Sequence, residues 1–142
     1  MGHHTLYDRL GKGGGITAVV DDFVSRCAAD SRINSKFART DLGRLKALLV
    51  EQVSGATGGK VEYTGRSMSD THRGMQVTAG EFDALVEDLV ATLNKFGVAA
   101  ADQTSLLGIL GALRTDIVEV ESAATGTPLP NAYENAKPLA AV

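Results

Sequence analysis

The sequence predicts an all-α protein, and three observations carry that expectation. Apolar residues recur at three- and four-residue spacing in four separate stretches, and capping or glycine signals bound most of them. No two alternating runs flank a tight turn as a hairpin would require. A chain of 142 residues suits one domain with a real core. The expected division is a helical domain over 1–121 and a loosely ordered tail over 122–142, where Ala, Gly, Pro and Asn replace the periodic pattern.

The first long helix carries Ile16, Val19, Val20, Phe23 and Cys27 on one face, with Gly13-Gly14-Gly15 before it as a flexible turn. The GKGGG run lacks the spacing of a dinucleotide or phosphate loop, and no strand precedes it. Asp41 is placed to cap the next helix, whose stripe is Leu42, Leu45, Leu48, Leu49 and Val53 and which stops at Gly58-Gly59. Between these two helices SRINSKFART is too broken for a long helix and sets Phe37 among polar neighbours. Thr78 and Glu81 have capping-box spacing ahead of Phe82, Leu85, Val86, Leu89 and Leu93, and Gly97 is a C-terminal stop. The last strong helix is expected to run through Leu106, Leu110, Leu113 and Ile117.

Composition excludes several function classes. A net charge of −3 and 14 scattered Lys and Arg form no basic stripe for a phosphate backbone. No apolar run is long enough to span a bilayer, and the N-terminus lacks the pattern of a secretory leader. The single cysteine, Cys27, cannot form an internal disulfide and fits a reducing compartment, so a cytoplasmic location is expected. Cys27 lies on the apolar face of its helix and reads as a packing residue. His3 and His4 read equally as native or as an added terminal scar, and they lack the further ligands a metal site needs.

His72 is the only histidine beyond the first four residues. Taken alone, the bland reading of a surface or hydrogen-bonded core histidine wins. Its surroundings shift the balance. The stretch from Gly58 to Thr78 has little periodicity, which is uncommon inside a compact domain without a functional reason. A bound cofactor touching His72 would hold that stretch in place.

From TLYDRLG and the glycines that follow, through DDFVSR, KFARTDLGRLK, ATGG, YTGRSM and THRGM to VTAGEFDALVEDL, residues 5 to 120 resemble the group I truncated haemoglobins. Those are short globins built as a two-over-two helical sandwich around haem. The resemblance implies haem b (iron protoporphyrin IX) as cofactor and His72 as the proximal ligand to its iron. The second ring nitrogen of such a ligand donates to a backbone carbonyl or similar partner, which the sequence leaves unnamed. Phe37 matches an aromatic that packs on the haem face, and Tyr63 and Met68 match pocket positions before the proximal histidine. Lys46 matches a position near a haem propionate, though a solvated helix face explains it nearly as well. Leu42, Leu45, Leu49, Val77, Phe82 and Val86 would complete an apolar cage, and each would serve equally as plain core. No CxxCH motif for covalent haem attachment is present.

One departure from the family matters. Many relatives carry a tyrosine directly after the phenylalanine equivalent to Phe23, often with a glutamine on the facing helix, to hydrogen-bond bound oxygen. Here Val24 follows Phe23, and the facing positions are Leu45, Leu48 and Leu49. Losing a partly charge-assisted hydrogen bond costs about 1.5–3 kcal/mol, or roughly ten- to a hundredfold in affinity. The expectation is fast oxygen release, little discrimination against carbon monoxide and an open sixth iron position. Gln52, one turn beyond Leu48 and Leu49, offers a minority alternative by swinging inward or holding a water.

The leading functional expectation is therefore reversible binding of oxygen and other diatomic gases (carbon monoxide, nitric oxide), in storage, delivery or sensing. The enzymatic alternative is nitric oxide dioxygenation, which needs an external reductase because the chain has no flavin or nicotinamide module. A third reading is a helical interaction domain that keeps the frame without haem. Oligomeric state is not legible.

Overall fold

The computed structural model describes residues 5–130 and 133. In chain order the helices are α1 (Leu6–Arg9), α2 (Lys12–Ala29), a 3₁₀ turn (Asn34–Phe37), α3 (Leu42–Ala56), α4 (Met68–His72), α5 (Ala79–Lys95), α6 (Ala100–Gly111) and α7 (Arg114–Ile117). Among the described residues the only β-pairing is an isolated parallel bridge between Thr78 and Val120. The all-α expectation holds.

Most of the helix starts have a side-chain cap. Thr5 and Asp8 form a capping box on α1, Asp41 accepts from the Arg44 amide at 3.1 Å, and Ser67 accepts from the Asp70 amide at 3.1 Å. Thr78 and Glu81 form the capping box expected for α5, at 3.0 Å in both directions.

Two elements differ from expectation. The glycine run is not a flexible turn but the first turn of α2, and its Gly15 amide donates to the Gly11 carbonyl at 3.0 Å. The cause is a close approach: a Cβ on Gly15 would stand 2.1 Å from the Leu10 carbonyl oxygen, so α1 can fold back onto α2 only over a bare backbone. The last apolar stripe is not one helix either. It breaks at Ala112–Leu113 into α6 and the short α7, both of which keep apolar residues turned inward.

Helix α2 packs against α3 and α5, α6 packs against α5, and α4 packs against α7. A polar tie reinforces the α2–α5 contact: Asp22 accepts from Thr92, Arg26 and Lys95 at 2.7, 2.8 and 2.9 Å, which holds its carboxyl well below the usual carboxylate range.

The segment expected to be a loose tail is pinned at Thr127, Leu129 and Tyr133, while residues 123–126 and Pro128 stay exposed. Leu129 and Tyr133 are buried in one cluster with Met75, Val77, Phe82 and Ile117. The Thr127 amide and hydroxyl donate to Glu81 at 2.8 and 2.7 Å, and the Lys36 ammonium donates to the Thr127 hydroxyl and the Pro128 carbonyl at 2.9 and 3.0 Å. Pro and Gly remove helix from this stretch without removing order. What anchors it is a set of buried polar partners on α5 and the 3₁₀ turn.

Candidate functional site

Every long helix contributes to the wall of one cavity of about 320 Å³. Helix α2 supplies Ile16, Val19, Val20, Phe23, Val24 and Cys27, and α3 supplies Leu45, Leu48, Leu49, Gln52, Val53 and Ala56. Leu85 and Leu89 come from α5, and Leu106, Ile109 and Leu110 from α6. Leu10, Phe37, Tyr63, Met68, His72, Leu113 and Ile117 complete it. Apart from His72, the polar groups on this wall are the Gln52 amide, the Tyr63 phenol and the Cys27 thiol.

His72 closes the short α4, and its Nδ1 lies 2.8 Å from the Met68 carbonyl oxygen. A carbonyl only accepts, so Nδ1 carries the proton and donates. In the neutral ring that leaves the lone pair on Nε2, the tautomer a metal-binding imidazole needs. The partner that the sequence left unnamed is therefore the carbonyl one helical turn back.

The Tyr63 hydroxyl is engaged elsewhere. It donates to the Arg66 carbonyl at 2.7 Å, and burial pushes its ionisation up. Its ring rests on Gly65, where any Cβ would fall 2.3 Å from the phenol oxygen. Burial, aided by the nearby Asp88 and Asp30 carboxylates, also pushes the Cys27 thiol far up, so it stays protonated and acts as packing. Those two carboxyl groups act on each other as a pair. Arg32 holds Asp30 at about 2, while burial and the Asp30 charge push Asp88 up to about 7.

Of the residues singled out from sequence, Phe23, Val24, Phe37, Leu45, Leu48, Leu49, Gln52, Tyr63, Met68 and His72 come together on the cavity wall. Five others do not line it. Leu42 packs with Leu10, Ile16 and Val20; Val77 and Phe82 are core beside Met75, with Val86 against them. The Lys46 ammonium pairs with Asp21 at 2.7 Å on the outer side of α2 and α3. His3 and His4 lie outside the described residues. Sequence reasoning missed Ile16, Val19, Val20, Leu89, Leu106 and Leu110 as cavity residues. All six stood on recognised apolar stripes, but nothing in a stripe tells a residue facing a cavity from one facing a neighbouring helix.

The donor set suits haem. Among the described residues no three His, Cys, Asp or Glu side chains gather as a metal site, so an iron here would have His72 as its protein ligand and take the rest from a macrocycle. The wall is apolar, as a porphyrin face requires.

The sequence profile of the bacterial-like globin family matches residues 5–119. This chain belongs to the truncated haemoglobins. The group 1 truncated haemoglobin of Mycolicibacterium paratuberculosis is 31% identical over 118 residues, covering 83% of this chain and 87% of that one. That of Synechocystis is 37% identical over 98 residues, covering 66% and 79%. Among solved structures, the ferric truncated haemoglobin of Tetrahymena pyriformis superposes with a TM-score of 0.77 at 30% identity, covering 81% of this globin and 98% of that one. A Synechococcus 2/2 haemoglobin with covalently attached haem, in the cyanomet state, gives the same TM-score, identity and coverage. The fold is thus the two-over-two globin sandwich, and the protein is a haem globin.

Proposed function

We propose that this truncated globin holds haem b through His72 Nε2 and binds diatomic gases reversibly, chiefly oxygen, with no side chain of the chain occupying the gas site. Bound haem would supply an iron able to take up a small gas. The chain's own residues supply the rest. The Met68 carbonyl fixes the Nδ1 proton, which orients the ring and places the lone pair on Nε2. Phe37 and Met68 offer apolar surface to the macrocycle, and Val24, Leu45, Leu48 and Leu49 form a wall with no hydrogen-bond donor. Such a wall excludes water and gives a polar bound gas no stabilisation.

The observation that carries this reading is the 2.8 Å contact from His72 Nδ1 to the Met68 carbonyl at the edge of an apolar cavity. Among the described residues no helix is long and apolar enough to cross a membrane. The one cysteine is free and buried, which supports a reducing, cytoplasmic setting.

Optical spectra of the haem-reconstituted protein test the reading, taken in the ferric form and in the ferrous form before and after carbon monoxide, beside His72→Ala. The expected result is a five-coordinate ferrous spectrum that converts cleanly with carbon monoxide and is lost or altered in the variant. A six-coordinate ferrous spectrum would refute the unoccupied gas site. Nitric oxide consumption over many turnovers with an added reductase would move the assignment from gas carrier to nitric oxide dioxygenase.

A further inference from the structure

Helix α4 has five residues, too few to fix its own orientation. Its internal ties are few, and the turn that follows is left-handed at both Gly74 (φ +88°) and Gln76 (φ +57°), the second an unfavourable conformation for a side-chain-bearing residue. The position of the His72 ring must therefore be set from outside, and three side chains remote in sequence do it. Glu119 accepts from the Gly74 and Gln76 amides at 3.0 and 2.8 Å, and Lys36 donates to the Met75 carbonyl at 3.0 Å. The buried Tyr133 hydroxyl donates to the carbonyl of Thr71, the residue before His72, at 2.7 Å.

We propose that Tyr133 is a positioning residue for His72, and that the segment around Thr127 and Leu129 is the strap that delivers it. The Thr71 carbonyl belongs to the last turn of its helix, where backbone acceptors lack in-helix partners, so the Tyr133 bond fills a vacancy that α4 itself cannot. The strap is independently anchored. Thr127 is bound to both Glu81 and Lys36, and Leu129 and the Tyr133 ring share one core cluster with Met75. Any slack in the strap reaches His72 through a single peptide unit. The inference rests on His72 as the haem ligand and adds what sets that ligand's position.

The test is Tyr133→Phe in the full-length chain, which keeps the ring and deletes the bond. Two readouts are taken: the iron–imidazole stretching band in the resonance Raman spectrum of the ferrous, haem-loaded protein, and amide hydrogen exchange over residues 71–76 with and without haem. The expected result is a shifted and broadened band, with exchange about tenfold faster in that stretch as its buried acceptor loses its partner, while α2 and α3 keep their protection. Leu93→Ala is the control. Leu93 is fully buried and lies off the cavity wall, so its variant loses overall stability and leaves the band in place. An unchanged band with unchanged exchange in Tyr133→Phe overturns the proposal. A band that survives His72→Ala overturns the ligand reading instead, whereas a band lost in His72→Ala, with band and exchange both indifferent to Tyr133→Phe, overturns this inference alone. Should the phenylalanine variant take up no haem, exchange in the unloaded chain decides.

Discussion

Lys36 and Glu81 are both buried, their charged ends lie 3.6 Å apart, and Thr127 is hydrogen-bonded to each of them. All three ammonium protons of Lys36 have oxygen acceptors: the Met75 carbonyl, the Thr127 hydroxyl and the Pro128 carbonyl. Burial alone would drive the Lys36 pKa down, and the Glu81 charge opposes that. Removing one partner strands the other. Lys36→Met is expected to destabilise the fold by about 3–5 kcal/mol. Thr127→Val, which keeps both charges, should cost less. Urea unfolding of the two variants checks the order, and a Lys36→Met loss below that of Thr127→Val would refute it.

The Asp30–Asp88 pair predicts a pH dependence of definite sign. Asp88 is pushed up to about 7, so between about pH 4 and 7 the folded chain holds a proton that the unfolded chain has released. Stability from this site therefore falls as pH rises through that window. Asp30, held at about 2, acts oppositely, and its contribution is lost only as pH drops below about 4. Asp88→Asn replaces the shared proton with a permanent amide donor. Thermal melts of the variant should lose less stability between about pH 5 and 8 than those of the parent. Parallel curves would show that the pair does not titrate as a unit.

Installing the missing phenol tests the apolar wall. Val24→Tyr should slow oxygen release by about ten- to a hundredfold and change carbon monoxide release far less, since a hydrogen bond to a polar gas is worth about 1.5–3 kcal/mol. The larger ring enters a packed helix face and should cost about 1–3 kcal/mol of stability. Gln52→Leu should move oxygen release by less than about threefold, below one net hydrogen bond. Laser photolysis and stopped-flow mixing give both rates. A large Gln52 effect would transfer the polar role to that amide.

The glycine run offers a sharper contrast. A Cβ at Gly15 meets the Leu10 carbonyl oxygen at 2.1 Å, a backbone atom that cannot swing aside, whereas a Cβ at Gly14 meets nothing within 4 Å. Gly14→Ala should stabilise α2 by about 1 kcal/mol through helix propensity alone. Gly15→Ala should destabilise the protein outright by parting α1 from α2. Melting temperatures that moved in the same direction for both variants would refute this geometry.

How far the sequence could be read depended on the kind of signal. Helical stripes and the caps at Asp41 and Thr78 are local, and they located α3 and α5 well. The glycine run misled because the close approach of Gly15 to the Leu10 carbonyl is a contact that no local rule contains. The tail misled because its order comes from Lys36 and Glu81, charged residues that a sequence reading assigns to the surface. Glu81 was noticed only as a cap. It performs that task and holds Thr127 as well. At the site, the resemblance pointed to His72 and the apolar set on α2 and α3, and these residues meet on one cavity wall. The Met68 carbonyl was not legible, because every residue has a carbonyl and only a backbone path selects one. Leu42, Phe82 and Val86 share stripes with cavity residues, and helical phase does not decide which layer each one faces; Val77 precedes the α5 cap and Lys46 pairs with Asp21 instead.

The cavity has a consequence for the life of the chain in a cell. Its wall draws on all four long helices, so no helix can close the hollow without leaving its neighbours. An unfilled apolar hollow forfeits packing on every side, and whatever fills it stabilises the folded state by mass action. Chains made faster than haem is supplied would then spend more time open to proteases, and the abundance of the protein would follow the haem supply without a separate regulator.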